Sequence, residues 1–178
     1  MLLLTYFKLK LRPLLRQIIR LFLFYYYDTY YTTGGSGKLI LGERVATANT
    51  LFNLSSGSIY IGDYTIFGHN VMVLTGKHNF VDGARAGLVD VIDGKSWGGG
   101  DLEVPNFGYD IKIGRACWIS SGAILIGGVS IGDNSIIMAG AVVTKSFEEH
   151  SIIGGVPAVR IGDTRQVANA SRVKFCEK

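Results

Sequence analysis

Aliphatic residues recur at every sixth position through the second half of the chain. A unit of six residues can hold one short strand and one tight turn, and three units can close one triangular coil. The aliphatic residue then points inward, and the residue four places later is small or β-branched, as Cys117, Ala123 and Val129 are. Stacked coils bury a continuous core, so the pattern predicts an all-β, parallel β-helix. The uninterrupted series is Ile113, Ile119, Leu125, Ile131, Ile137 and Val143.

Two earlier blocks show the same period, a weak one at Leu41, Thr47 and Asn53 and a regular one at Ile61, Phe67 and Val73. The next position would be Asn79, which is polar and directly follows His78, and the period returns only at Ile113. The blocks predict about four to five coils over residues 32–162, with a loop excursion over residues 79–110. A loop of this length in a compact domain is often functional. Its glycines, aromatics and aspartates suit either a sugar-binding wall or a contact between subunits.

The segment over residues 1–31 has a different pattern. It contains no glycine, and Lys8, Arg12, Arg16 and Arg20 recur at every fourth position, which predicts a helix with a basic stripe. The longest charge-free apolar run, residues 21–27, is far shorter than the ~20 residues needed to span a bilayer. Two interpretations remain open: a helix that lies on an anionic membrane surface, and a helix that caps the β-helix. At the other end, residues 163–178 form a basic tail.

Composition narrows the possible partners. Apolar residues make up 48% of the chain and charged residues 18%, so a folded core is expected. A net charge of +4 suits an anionic ligand, but the chain lacks the dense basic face of a nucleic-acid binder. Cys117 and Cys176 form no CxxC pair and no metal-ligand pattern, so no metal is expected. Two isolated cysteines fit a reducing compartment, which favours the cytoplasm or the inner face of the cell membrane.

The stretch IKIGRACWISSGAILIGGVSIGDNSIIMAGAVVTKSFEEHSIIGGVPAVRIG resembles the hexapeptide-repeat acyltransferases, in particular the galactoside, maltose, xenobiotic and polysaccharide O-acetyltransferases. The resemblance implies that the coils wind left-handed and that acetyl-CoA is the co-substrate. It also implies a homotrimer whose active sites lie between subunits, with a carbohydrate as the acceptor.

The resemblance also assigns roles to individual residues. His78, in the phrase Thr75-Gly76-Lys77-His78, matches the histidine that acts as general base, a task suited to a neutral imidazole. The backbone N–H of Ser121 matches the donor that stabilises the oxyanion. The other matched positions concern coenzyme A: Trp118 beside the pantetheine arm, Ala139 and Ala141 with peptide groups against it, and Lys145 and Arg160 at the phosphates. The family usually has its basic residue one position before Arg160, where this chain has Val159.

These assignments predict an acetyl-CoA-dependent O-acetyltransferase that modifies a sugar hydroxyl in a surface polysaccharide or glycoconjugate. Three alternatives remain: N-acetylation of an amino sugar, a zinc protein of the β-helix carbonic-anhydrase type, and a non-catalytic scaffold. The zinc alternative would use His69, His78 and His150, which lack the close pair usually expected. We expect His69 at a surface turn and His150 exposed to solvent. The loop acids do not distinguish which group orients His78.

Overall fold

A computed structural model describes residues 30–81, 84–85 and 104–167 of the 178-residue chain. The helix predicted over residues 1–31 lies outside the described residues, except that Tyr30 and Tyr31 begin the first strand. The basic tail lies outside them beyond residue 167, and residues 164–167 form one helical turn. In the described parts of the chain, no helix is long and apolar enough to cross a membrane.

The described residues are almost entirely strands and tight turns. The strands are β1 (Tyr30–Thr33), β2 (Leu39–Leu41), β3 (Thr50–Asn53), β4 (Ile59–Ile61), β5 (Ile66–Phe67), β6 (Met72–Leu74), β7 (Phe80–Val81), β8 (Ala84–Arg85), β9 (Ile111–Ile113), β10 (Trp118–Ile119), β11 (Ile124–Ile126), β12 (Ser130–Ile131), β13 (Ile136–Ile137), β14 (Val142–Val143), β15 (Ser151–Gly155) and β16 (Ala158–Asp163).

Three sheets form the faces of a prism. Face A has the strand order β1-β3-β6-β11-β14, face B has β12-β9-β4-β2, and face C has β16-β15-β13-β10-β5. The chain visits faces B, C and A in turn, and strands of successive coils pair in parallel. Only the hairpins β15–β16 and β7–β8 pair antiparallel among the described strands. We refer below to the B–C, C–A and A–B edges, where the chain turns from one face to the next.

The six-residue period places the core as predicted. Every aliphatic residue of the regular blocks is buried, as are the residues that precede them by two positions. Ile111 and Ile113 are buried while Lys112 between them is exposed, because successive side chains of a strand alternate in direction. The prediction of an all-β parallel β-helix is confirmed by this arrangement of sheets and core.

The weak first block departs from the predicted register. Phe52, not Asn53, points inward, since Phe52 pairs with Val73 of the next coil and is fully buried. The cause is a tight corner in which Ala48 and Asn49 both have positive φ, 38° and 58°, and the N–H of Thr50 donates to the carbonyl of Thr47. This corner shortens one side of the coil by one residue.

The excursion is inserted at a single corner. Phe67 pairs with Ile119 of the next coil, and Ile119 pairs with Ile137 of the coil after that. Far more residues separate Phe67 from Ile119 than separate Ile119 from Ile137, and the additional residues lie between β6 and β9. The pairing of β4 with β9 and of β6 with β11 continues across the insertion, so the stack of coils is unbroken where the excursion leaves it.

Candidate active site

His78 lies where the chain leaves the A–B edge to enter the excursion, shortly after the end of β6. Its side chain is exposed and lines a cavity of about 260 Å³. The cavity therefore gives the imidazole access to a small ligand from solvent. The other lining residues are Asn53, Ser55, Leu74, Gly76, Lys77 and Val104.

Buried hydroxyls hold the segment that leads to His78. The hydroxyl of Thr75 donates to the carbonyl of Asn53 at 2.8 Å and accepts from the N–H of Ser56 at 3.2 Å. The hydroxyl of Ser56 accepts from the N–H of Lys77 at 3.2 Å. A Cβ on Gly76 would lie 2.9 Å from Oδ1 of Asn53, so a larger residue there would displace this side chain. These contacts fix the backbone up to the residue before the histidine.

Lys77 connects the two ends of the excursion. Its ammonium nitrogen lies 4.9 Å from the centre of the Tyr109 ring, within the range of a cation–π contact. Tyr109 in turn packs against the next coil, where a Cβ on Gly127 would lie 2.9 Å from the Cβ of Tyr109. The entry and the exit of the excursion are thus in contact beside His78.

Ser121 lies at a different edge, C–A, in a turn between β10 and β11. The N–H of Ala123 donates to the carbonyl of Ser120 at 3.3 Å, and Gly122 has φ of +71°, the pattern of a type II turn. The hydroxyl of Ser121 accepts from the N–H of His69, and its carbonyl accepts from the N–H of Gly140. Its own N–H has no acceptor among the described residues. This donor is therefore available to a ligand.

Trp118 projects outward from face C. It lies between Ile66 and Ile136 in the parallel ladder, and half of its surface is exposed, 50%. Its ring forms one wall of a groove of about 420 Å³. The groove offers an apolar surface bordered by polar groups. The other lining residues are Ala116, Asn134, Ile136, His150, Thr164 and Arg165.

The two predicted alanines differ in exposure. Ala139 is exposed at the C–A edge, one coil beyond Ser121. Ala141 is buried, and its backbone is used within the fold: its N–H donates to the carbonyl of Met138 and its carbonyl accepts from the N–H of Ile124. Of the two, only Ala139 presents its side chain at the surface.

The two predicted phosphate contacts lie on different elements of the fold. Lys145 follows β14 on the A–B edge, and its ammonium nitrogen lies 5.6 Å from the centre of the Phe147 ring. Arg160 lies in β16, and its guanidinium donates to Asp163 at 2.8 Å. Hydrogen bonds from the side chain and backbone of Arg165, together with the charge of Arg160, hold the pKa of Asp163 well below its usual value. A phosphate would have to compete with Asp163 for Arg160.

The structure thus divides the predicted site between two edges. His78 and Lys145 lie on the A–B edge, and Ser121 and Ala139 lie on the C–A edge, with Trp118 on face C. Sequence reasoning missed Ser56, whose hydroxyl holds the backbone just before His78. Its contact with Lys77 joins residues 21 positions apart in adjacent coils, so no local motif indicates it.

The three histidines lie on three different edges. His69 is exposed at the C–A edge, as expected of a turn residue. The expectation that His150 is solvent-exposed is wrong, because it is half-buried at the B–C edge and its Nδ1 lies 3.1 Å from the hydroxyl of Thr164. Within the described residues, no group of three His, Cys, Asp or Glu side chains could hold a metal ion.

Cys117 occupies one of the small inward positions. Burial raises the pKa of its thiol, and its Sγ contacts the carbonyls of Arg115 and Gly132. A protonated thiol inside the prism is a core residue and not a nucleophile.

Similarity to known proteins supports the β-helix fold. Residues 110–145 match the family described as bacterial transferase hexapeptide (six repeats). This stretch of the chain therefore carries the hexapeptide repeat of that family. A galactoside O-acetyltransferase of Lactococcus lactis is 24% identical over 130 residues, which are 73% of this chain and 55% of that protein. A chloramphenicol acetyltransferase of Agrobacterium fabrum is 43% identical over 68 residues, 33% of this chain and 32% of that protein.

Solved structures of hexapeptide-repeat proteins share the architecture. A galactoside acetyltransferase in complex with coenzyme A superposes with a TM-score of 0.55 at 23% identity, covering 79% of this chain and 68% of that one. The repeat and this likeness of fold make the helix left-handed, as predicted. The chain spans between a third and just over half of the length of the two relatives named above.

Proposed function

We propose that this hexapeptide-repeat protein is an acetyl-CoA-dependent O-acetyltransferase that acylates a sugar hydroxyl. The observation that carries the proposal is the pair of groups that the repeat leaves accessible. One is the exposed imidazole of His78 beside a cavity, and the other is the N–H of Ser121, which has no acceptor among the described residues. A base and an oxyanion donor are what acyl transfer to a hydroxyl requires.

In this mechanism, His78 takes the proton of the acceptor hydroxyl as its oxygen attacks the thioester carbonyl carbon. The carbonyl oxygen becomes negative and accepts a hydrogen bond from the N–H of Ser121. The carbon–sulfur bond then breaks, the carbonyl re-forms as an ester, and the imidazolium of His78 returns the proton to the leaving thiolate. The products are the acetylated sugar and free coenzyme A, so atoms and charge balance without a metal or a redox group.

The surface residues fit a long, thin thioester substrate. Trp118 offers a flat apolar ring along which the pantetheine arm can lie, and the small side chain of Ala139 permits a close approach. Lys145 supplies a positive charge for a phosphate, with Arg160 as a second contact if it releases Asp163. Ala141 can contribute only through its already bonded peptide group.

The separation of the two edges supports a site shared between copies of the chain. His78 and Ser121 would each have to contact the same reacting group within ~3 Å. Face A lies between their edges, and the step from Val71 to Thr75 along β6 alone covers about 13 Å. A homotrimer would place the A–B edge of one copy against the C–A edge of its neighbour.

The outer faces are consistent with such an assembly. The outward residues of faces A and C are largely apolar, with Met72, Ile124 and Val142 on face A and Trp118 on face C. On face B the outward column starts with the exposed Ile40 and Tyr60 and becomes polar at Lys112 and Ser130. Packing of faces A and C against neighbouring copies would cover their apolar surfaces and leave this polar part of face B in solvent.

The biological setting follows from the same proposal. The basic, apolar segment of residues 1–31 would hold the enzyme on the cytoplasmic, inner face of the cell membrane. An acceptor in a surface polysaccharide or glycoconjugate would be assembled on such a membrane. The carbohydrate class is also that of the galactoside O-acetyltransferase to which the chain is similar.

The proposal is tested by measuring thiol release from acetyl-CoA in the presence of a panel of sugars and sugar polymers. We expect release to depend on a hydroxylated sugar and the product to lose its acetyl group in mild base, as esters do. A product stable to mild base would instead indicate N-acetylation of an amino sugar. No thiol release with any acceptor would contradict acyl transfer altogether.

A further inference from the structure

The edges of the prism carry a repeated hydrogen bond that we call the corner cap. At a fixed turn position, the backbone N–H of one coil donates to a side-chain oxygen at the equivalent position of the next coil. Glu43 is capped by Asp63 at 2.8 Å, His69 by Ser121 at 3.1 Å, and Arg115 by Asp133 at 2.8 Å. The bond to Arg115 also lowers the pKa of Asp133, as expected of a carboxylate that accepts an N–H.

The corner cap depends on the side chain that the next coil supplies. Ser121 corresponds to Ala139, since their strands are in register with Ile119 opposite Ile137. A methyl group cannot accept a hydrogen bond, and the N–H of Ser121 has no acceptor among the described residues. Asp63 behaves alike: its counterpart is Arg115, whose side chain offers no acceptor, and its N–H is also without one in the described structure.

We infer that Ala139 is a positioning residue that keeps the N–H of Ser121 open for the oxyanion. The inference rests on the proposed acyl transfer and goes beyond it, because it gives a role to the absence of an oxygen at position 139. At the equivalent position one coil earlier, Ser121 has a hydroxyl oxygen, and this oxygen caps the N–H of His69. A serine at 139 would repeat that geometry and close the donor.

The turn at Ala139 would accept this change. The N–H of Ala141 donates to the carbonyl of Met138 at 3.2 Å, and Gly140 has φ of +69°, so the turn has the form of the one that carries Ser121. Ala139 itself is exposed, so a hydroxyl there displaces no core residue. The substitution therefore adds an acceptor without altering the fold that presents it.

The test compares Ala139→Ser with Ala139→Cys, which adds similar bulk but only a weak acceptor. We expect Ala139→Ser to lower kcat by about tenfold or more, toward the ~10²–10³ that one lost oxyanion donor costs. Ala139→Cys should change KM for acetyl-CoA as much as the serine variant does, with a much smaller effect on kcat. Equal losses of kcat in both variants would overturn the inference, because bulk alone would explain them.

Hydrogen exchange provides a readout that does not depend on turnover. In Ala139→Ser the amide of Ser121 should exchange about fivefold to tenfold more slowly, the protection that one net hydrogen bond provides. Asp63→Ala is the matched control at another edge: it should speed exchange at Glu43 and leave kcat unchanged. Unchanged exchange at Ser121 in Ala139→Ser would refute the cap, whereas wild-type protein without acetyl-CoA turnover would refute the proposed function.

Discussion

The hydroxyl of Ser121 accepts a hydrogen bond from the backbone N–H of His69, one coil earlier, at 3.1 Å. The side chain is thus engaged in holding adjacent coils together, while the amide nitrogen of the same residue is the candidate donor for catalysis. The two parts of Ser121 can be separated by substitution.

Ser121→Ala removes the hydroxyl and keeps the N–H, so we expect kcat to stay close to that of the wild type. The free energy of unfolding should fall by less than about 1 kcal/mol, because the uncapped N–H of His69 lies at an exposed corner. Ser121→Pro removes the N–H, and proline suits this second position of a type II turn. That variant should lower kcat by ~10²–10³. Steady-state kinetics and thermal melting of both variants separate a lost donor from a lost fold, and equal kcat values would contradict a backbone role.

His78→Asn should lower kcat by ~10²–10⁴ with the true acceptor, because the hydroxyl proton then has no base to receive it. The variant should still unfold cooperatively in a thermal melt, because hydrogen bonds of Thr75, Ser56 and Lys77 hold the backbone that leads to position 78. His69→Asn is the matched control: His69 is also exposed at a corner, and its backbone N–H would still donate to Ser121. If both variants kept normal turnover, His78 would not be the base.

Lys145→Ala should raise KM for acetyl-CoA by about tenfold, the loss of one charge-assisted phosphate contact, and leave kcat at saturation similar. Lys112→Ala provides the comparison, because Lys112 is an exposed lysine in the middle of strand β9 on face B. KM for acetyl-CoA and the inhibition constant of desulfo-coenzyme A should shift together. An equal rise in both lysine variants would indicate a general effect of charge and remove the assignment.

Asp163→Asn should destabilise the protein at neutral pH. The pKa of this carboxyl is lowered in the folded protein, so its stabilising contribution is present above about pH 4 and is lost as the pH falls below that value. The gap in melting temperature between wild type and variant should therefore shrink from pH 7 to pH 3, and also in concentrated salt, which screens exposed charges. A gap that widened in acid would mean that the ion pairs with Arg160 and Arg165 do not stabilise the folded state.

The regular part of the fold could be predicted because its signal is repeated. Each inward aliphatic from Ile113 to Val143 has equivalent neighbours in adjacent coils, so one rule applied six times leaves little freedom. The first block could not be predicted to the residue, because the shift from Asn53 to Phe52 depends on two left-handed residues in one corner. The pattern of hydrophobic residues does not predict the left-handed backbone conformation of Ala48.

The site could be predicted less completely than the fold. The motif pointed to His78 and Ser121, but the sequence does not show that they lie on different edges, because that depends on how many sides of the prism separate them. The corner caps were also invisible, since their partners stand 18, 20 or 52 residues apart. Once the register of the coils is known, His69, Ser121 and Ala139 are seen to occupy equivalent positions in successive coils.

The insertion between β6 and β9 has a consequence for how such an enzyme can diversify. Because the ladders on both sides of it remain continuous, the inserted segment is not needed for the stacking of the coils. Mutation, lengthening or replacement of this segment can therefore change the surroundings of His78 while the stacked coils keep their pairing. In the proposed acetyl transfer, the stack of coils would hold the base and the oxyanion donor, and the inserted segment would contribute to the choice of acceptor.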